Sequence, residues 1–170
     1  MAKVITLSRT FQSTHPRKGE PTYFVEKVWK SLYVNGVCPD ELSPFINQYM
    51  DFFKSEKFIG YYDSISKKHT IRAGNRWKDG DMASLRVWSG KPYTDKQIAI
   101  APDIKITVKS VEIKDNYLYV DGKFISNMNH RDVEIVAKND GLSADDFANW
   151  FPKSNFTGQM LIWNNLNLPY

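Results

Sequence analysis

Cysteine is nearly absent: Cys38 stands alone among 170 residues, which excludes an internal disulfide framework and a zinc site built on cysteines. Such usage fits a reducing compartment. Long apolar runs are missing too. No window approaches the roughly 18 uninterrupted apolar residues of a membrane span. The opening MAKVITLSRTFQ has no apolar stretch leading into small residues. No membrane association and a cytoplasmic location are therefore expected. The three histidines, His15, His69 and His130, are scattered without H-x-x-x-H spacing, so neither a metal nor a cofactor is expected. Internal repeats, low-complexity tracts and linkers are also lacking, and one domain spanning 1–170 is the resulting expectation.

What is present fills one core. Hydrophobic residues make up 42% of the chain and aromatics 14%, enough for one substantial apolar interior but cramped for two. The charge balance of 23 Lys and Arg against 19 Asp and Glu gives +4. That suits a phosphate-bearing partner without requiring one.

Lys3 to Ser8 alternates in the manner of a short strand. Phe11 to Pro21 mixes His15, Arg17 and Lys18 with Pro16, Gly19 and Pro21, and reads as an exposed basic loop. Thr22 is the expected N-cap of a helix whose Phe24, Val25, Val28, Trp29 and Leu32 fall on one face, stopped by Asn35-Gly36. A second helix is expected after Asp40, with Pro44 in its first turn. Beyond it come short β-type runs at Phe58–Tyr62, Thr70–Arg72, Ala83–Trp88, Gln97–Ala101, Ile104–Ile113 and Tyr117–Val120. Lys114-Asp115-Asn116 supplies the turn of a hairpin. Strands at this spacing suggest a small barrel. Short helices are expected over Arg131–Lys138 and from Ser143, paired with Asp146 in a capping box, through Trp150; Gln159–Trp163 reads as a closing strand.

Chemistry concentrates at Lys67 to Asp81. Lys67, Lys68, His69, Arg72, Arg76 and Lys78 place six potential cations in a dozen residues, interleaved with Thr70, Asn75 and Trp77. Arginine offers a planar fork to phosphates or base edges, and a tryptophan can stack on a base for roughly 1–3 kcal/mol. The bland alternative is a strand edge guarded by lysines. His15, Arg17 and Lys18 could contribute a rim or lid. Trp88 and Tyr93 could form a wall of a base pocket, although a core role for Trp88 is the simpler expectation. Glu20 and Glu26 are further carboxylates that solvated helix-start positions explain.

The order of the residues says more than their composition. Lys67, Thr70-Ile71-Arg72 and then Trp77-Lys78-Asp79-Gly80-Asp81 resemble the K-x-x-T-x-R…G-D signature of ASCH domains. This family belongs to the PUA-like superfamily of small β-barrels associated with RNA and modified nucleosides. Ile5–Phe11, Met82–Val87, Asp140–Phe151 and Gln159–Trp163 resemble the family's first strand, the strand after its glycine turn, its late acidic loop and helix, and its last strand. The resemblance implies an α+β fold, a PUA-like barrel with a two-helix insertion at about 12–65 and short helices near the C-terminus. Small bacterial members include an amidohydrolase acting on 4-acetylcytidine. By that resemblance Lys67 falls on the catalytic lysine, Thr70 on the threonine nucleophile, and Asp140 on an acid that is a glutamate in the family. Arg72 falls on the arginine two residues after the threonine.

Lysine can deprotonate a threonine hydroxyl when desolvation or nearby cations lower its pKa. Lys67 and Thr70 would face opposite ways on a continuous strand, so a bend must precede Thr70 if they are to meet. The implied ligand is a nucleoside or a nucleotide in RNA, held by Arg72, His69, Lys68, Arg76, Trp77, Arg17 and Lys18. The alternatives are a non-catalytic RNA-binding module and a protein-interaction scaffold built on the two helices.

Overall fold

The computed structural model describes residues 1–54, 65–129, 131–151, 155–163 and 166–170. The expected strand over Phe58–Tyr62 and the third histidine, His130, lie outside them.

The first strand, β1 (Lys3–Thr6), runs parallel to β3 (Met82–Trp88), with Ile5 opposite Leu85 and both buried. A parallel pair needs a long crossover. Here the crossover contains α1 (Phe24–Val34), α2 (Pro39–Phe53) and β2 (His69–Ala73).

The apolar stripe of α1 does what its spacing dictates: Phe24, Val25, Val28, Trp29 and Leu32 are buried, and the Trp29 indole N–H donates to the Ile100 carbonyl at 2.6 Å. Thr22 stands one residue before the cap position, but its hydroxyl does accept from the Phe24 N–H that opens the helix, at 3.3 Å. Tyr23 occupies the cap position in a left-handed conformation, while the Thr22 hydroxyl donates to the Ser8 carbonyl. Asn35 and Gly36, the latter at φ +91°, stop the helix as expected. The second helix begins one residue before Asp40, at Pro39, which moves Pro44 out of its first turn. Leu42 and Tyr49 are its buried anchors, and Tyr49 meets Trp29 edge-on at 5.3 Å.

The remaining elements are β4 (Gln97–Ala99), β5 (Ile104–Lys114), β6 (Tyr117–Val120), β7 (Lys123–Asn127), α3 (Glu134–Asn139), α4 (Ala144–Trp150) and β8 (Phe156–Trp163), with a short 3-10 turn at Arg131–Val133 before α3. The β5–β6 hairpin closes through Asp115 and Asn116, both at positive φ as a two-residue primed turn requires. Ser143 caps α4 by accepting from the Asp146 N–H at 3.1 Å.

Strand β8 lies between β2 and β5 and is buried from Met160 to Trp163, an apolar run covered on both faces. Gly158 permits its close approach to β2, because a Cβ there would lie 2.2 Å from the Arg72 carbonyl oxygen. One continuous apolar core links the sheet to all four helices.

The result is an α+β fold with a mixed eight-stranded sheet, and it corrects the expectation of a closed barrel. Among the described residues no backbone ladder joins the edge strands β1 and β2. Side chains bridge that gap. The Arg72 guanidinium donates to the Thr6 carbonyl at 2.5 Å, Arg76 to the Val4 carbonyl at 3.0 Å, and the Lys3 ammonium to the Arg76 carbonyl at 3.0 Å. The link to β1 is therefore made by side chains, and the sheet does not close.

Among the described residues no helix is long and apolar enough to cross a membrane.

Candidate functional site

Lys67 lies just outside β2, and its main chain is tied to three different elements. Its N–H donates to the Lys27 carbonyl of α1 at 3.0 Å, its carbonyl accepts from the Trp163 indole of β8 at 2.7 Å, and the next N–H, that of Lys68, donates to the Asn139 carbonyl of α3 at 2.6 Å. The strand alternation therefore does not extend back to Lys67. Its side chain and that of Thr70 line the same cleft.

Asp140 arrives from the other side at the end of α3, where its N–H bonds back to the Val136 carbonyl. Gly141 makes the turn at φ +79°, and a Cβ there would stand 3.1 Å from Lys67 Cβ. The lysine fits because that position has no side chain.

The Lys67 ammonium donates to the Asp140 carboxylate at 2.7 Å and to the Asp140 main-chain carbonyl at 2.5 Å, and sits 4.1 Å from the centre of the Phe24 ring. Lys67 is 1% exposed and Asp140 3%. Behind Asp140 lies His69, fully buried, with Nδ1 3.5 Å from the carboxylate and neither ring nitrogen hydrogen-bonded among the described residues. Nearby, Lys27 donates to the Thr22 and Gly141 carbonyls at 2.9 and 2.7 Å.

The electrostatics follow from burial. Desolvation pulls the Lys67 ammonium below its ordinary value against the opposing pull of Asp140, and Arg72 adds to the lowering. Burial pushes the Asp140 carboxyl up, yet Lys67 and His69 outweigh it and hold the group below the usual carboxylate value. Burial likewise lowers His69, more than Asp140 raises it. Lys27 is brought down to about 8 by burial and by Lys67.

Lys67 and Asp140 belong to a cleft of about 330 Å³, within the range of small-molecule sites. Lys67, Thr70, Arg72 and Asp140 lie at the floor; Phe24 and Trp150 make one side, and Trp88, Pro92 and Tyr93 the other. Trp88 is half-buried and faces the cleft, a departure from the simpler core expectation. Phe24 and Trp150 had no local signal, because they come from α1 and α4 and acquire a role only through tertiary packing. A larger hollow, about 650 Å³, lies between the β5–β6 turn and α4. Its lining includes Asn116, Asn129, Asn149 and Asn155 but none of the residues expected from sequence to act. Convergent buried charge distinguishes the smaller cleft.

Several expected ligand contacts are elsewhere. Trp77 is no stacking platform: it is 4% exposed, packed in the core between Lys3 and Arg76, with its main-chain N–H and C=O both bonded to the Gln159 side-chain amide. His69 lies beneath the floor, Lys68 is half-buried outside the cleft lining, and Arg76 is on the surface against β1. The basic loop does not form a rim. Arg17 pairs with Glu20 and Asp146, each at 2.8 Å, and Lys18 is exposed away from the cleft. His15 is buried against Phe11 and Trp150, its Nδ1 accepting from the Arg17 N–H. Glu26, expected in solvent, is half-buried, and desolvation raises its carboxyl.

Among the described residues no three histidine, cysteine or acidic side chains gather as metal ligands would. Comparison of the chain with family models, curated proteins and solved structures finds no match.

Proposed function

We propose that this cleft binds an acylated nucleoside such as 4-acetylcytidine and hydrolyses its amide, on an open variant of the PUA-like ASCH fold. The observation that carries the reading is the meeting of Lys67 and Thr70 with the distant Asp140 on one small cleft.

The hydrogen bonds around Lys67 suit a base. The ammonium paired with Asp140 first gives up a proton to solvent, a loss that burial favours, and the neutral amine then has two N–H donors and one lone pair. Asp140 accepts both donors, through its main-chain carbonyl and its carboxylate, which leaves the lone pair for the Thr70 proton. Attack of Thr70 Oγ1 on the acyl carbon then forms a tetrahedral oxyanion, and Lys67 becomes an ammonium beside the Asp140 carboxylate. The remaining guanidinium donors of Arg72 stabilise the oxyanion. As the C–N bond breaks, Lys67 returns its proton to the departing exocyclic amine. Water cleaves the acyl-threonine by the same route, releasing acetate and restoring Thr70. The shorter carboxylate at position 140 still serves, because the end of α3 brings its main chain to the lysine.

The rival reading, cations binding RNA phosphates, loses support from the dispersal of the basic cassette. Lys67 and His69 are buried, and Arg72 and Arg76 are bonded to β1. Purified protein incubated with 4-acetylcytidine is expected to release cytidine, and Thr70→Ala to lower that release by about 100-fold or more, read by chromatography. Release no faster than the blank rejects the proposal. RNA affinity that falls steeply with salt would revive the rival.

A further inference from the structure

The cleft has two layers of different chemistry. Its floor is ionic and almost sealed, whereas its mouth is aromatic and open. Tyr93 is 92% exposed and lines the cleft with Trp88, their ring centres 5.5 Å apart and their planes inclined at 53°. Exposure of one aromatic is ordinary. A tyrosine held at φ +65° is not, since side chains rarely adopt the left-handed region without a reason in the surrounding structure.

The loop that presents Tyr93 is braced. Ser89 N–H donates to the Lys96 carbonyl at 2.9 Å, Asp95 N–H to the Lys91 carbonyl at 3.1 Å, and Lys91 N–H to the Asp95 carboxylate at 2.5 Å. That carboxylate lies 2.2 Å from where a Cβ on Gly90 would be, so a side chain there would have to displace it. A fixed loop thus sets an aromatic ring in an unfavourable backbone conformation at the entrance to the buried Lys67, Thr70 and Asp140.

We propose that Trp88 and Tyr93 form a slot for the planar ring of the ligand, and that Tyr93 is a specificity-determining residue. It selects acyl amides borne on a flat heteroaromatic ring over acyl amides on flexible chains. The inference rests on the acylated-nucleoside reading of the floor. The inclined rings let a planar group stack on one face while its edge meets the other. The acyl group then points inward to Thr70.

The test measures binding by calorimetry in a full-length Thr70→Ala background, which prevents turnover. The probes are 4-acetylcytidine and Nε-acetyl-lysine amide, which share the acetamide and differ in the ring. 4-Acetylcytidine is expected to bind, and the acetyl-lysine derivative to bind at least about tenfold more weakly. Adding Tyr93→Ala should weaken 4-acetylcytidine by about tenfold and leave the acetyl-lysine derivative unchanged, while Tyr93→Phe, which keeps the ring, stays within about twofold. Tyr93→Ala binding as tightly as its parent, or equal affinity for the two probes, overturns the slot and leaves the floor reading intact. Absence of any 4-acetylcytidine binding in the parent removes both.

Discussion

Residues 67–72 and residues 76–81 lie three positions apart and both carry cations, yet they have opposite fates. In the first stretch Lys67, His69 and Thr70 are nearly inaccessible and Lys67 is satisfied by Asp140, which lies 73 positions away in the chain. In the second, Arg76 and Lys78 are exposed, and Asp81 accepts at the surface from the Lys3 ammonium and the Lys78 N–H. The difference teaches that a cluster of cations in sequence has no fixed meaning. The first becomes a buried ion pair because a carboxylate is delivered to it from another element; the second fastens one edge strand to the rest of the sheet.

Removing the delivered carboxylate breaks this contrast most severely. Asp140→Ala leaves the Lys67 nitrogen desolvated with one of its two acceptors gone. The expected loss is about 3–5 kcal/mol of folding stability, the usual penalty for breaking a buried ion pair. Urea unfolding with an unchanged slope measures it. A loss below about 1 kcal/mol would mean that water reaches Lys67 and that the floor is not sealed.

Much of the fold was legible where pattern and burial agree. The apolar stripe of α1 and the Asp115-Asn116 turn are of that kind, and both form as expected. Strand β7 was not expected, and its burial shows why: Phe124 is 58% exposed while Ser126 is 1% exposed, the reverse of what alternation would suggest. Barrel closure could not be read at all, because it turns on whether β1 and β2 meet through main-chain bonds or through Arg72 and Arg76. In the candidate site, the ordered residues from Lys67 to Arg72, together with Asp140, pointed to groups that do converge. Counting cations did not, since composition is silent about side-chain direction. Trp77 and His15 were misread for the same reason: each looked available beside charged neighbours, and each is packed inward.

A smaller effect separates the two stretches by pH. His69 is lowered by burial, so the unfolded chain binds a proton that the folded protein refuses as pH falls below about 6.5. The unfolded state then holds more protons, and stability must decrease as pH drops through that window. The slope approaches about 1.4 kcal/mol per pH unit where one proton separates the states. Asp140, held low, contributes stability above its unfolded value near 3.8 and loses it only in stronger acid, so the two windows are distinct. Denaturant midpoints between pH 7 and 5 are expected to fall in the natural sequence and to stay level in His69→Gln. Parallel slopes would show that His69 is protonated in the folded protein.

The least effect is expected at Arg76, where the same kind of side chain meets the same kind of acceptor as Arg72 but in solvent. Its guanidinium donates to the Val4 carbonyl at 3.0 Å from an exposed position, so water can replace it when it is removed. Arg76→Ala should therefore cost no more than about 0.5 kcal/mol, as for most surface substitutions. Proposed turnover of 4-acetylcytidine should also be unchanged, because Arg76 is absent from the cleft lining. Parallel denaturation and cytidine-release assays check both. A loss above about 1 kcal/mol would show that the side-chain bridge to β1 stabilises the sheet. A loss of turnover with stability intact would instead extend the site outward from Lys67 and Thr70 along the exposed half of the cassette.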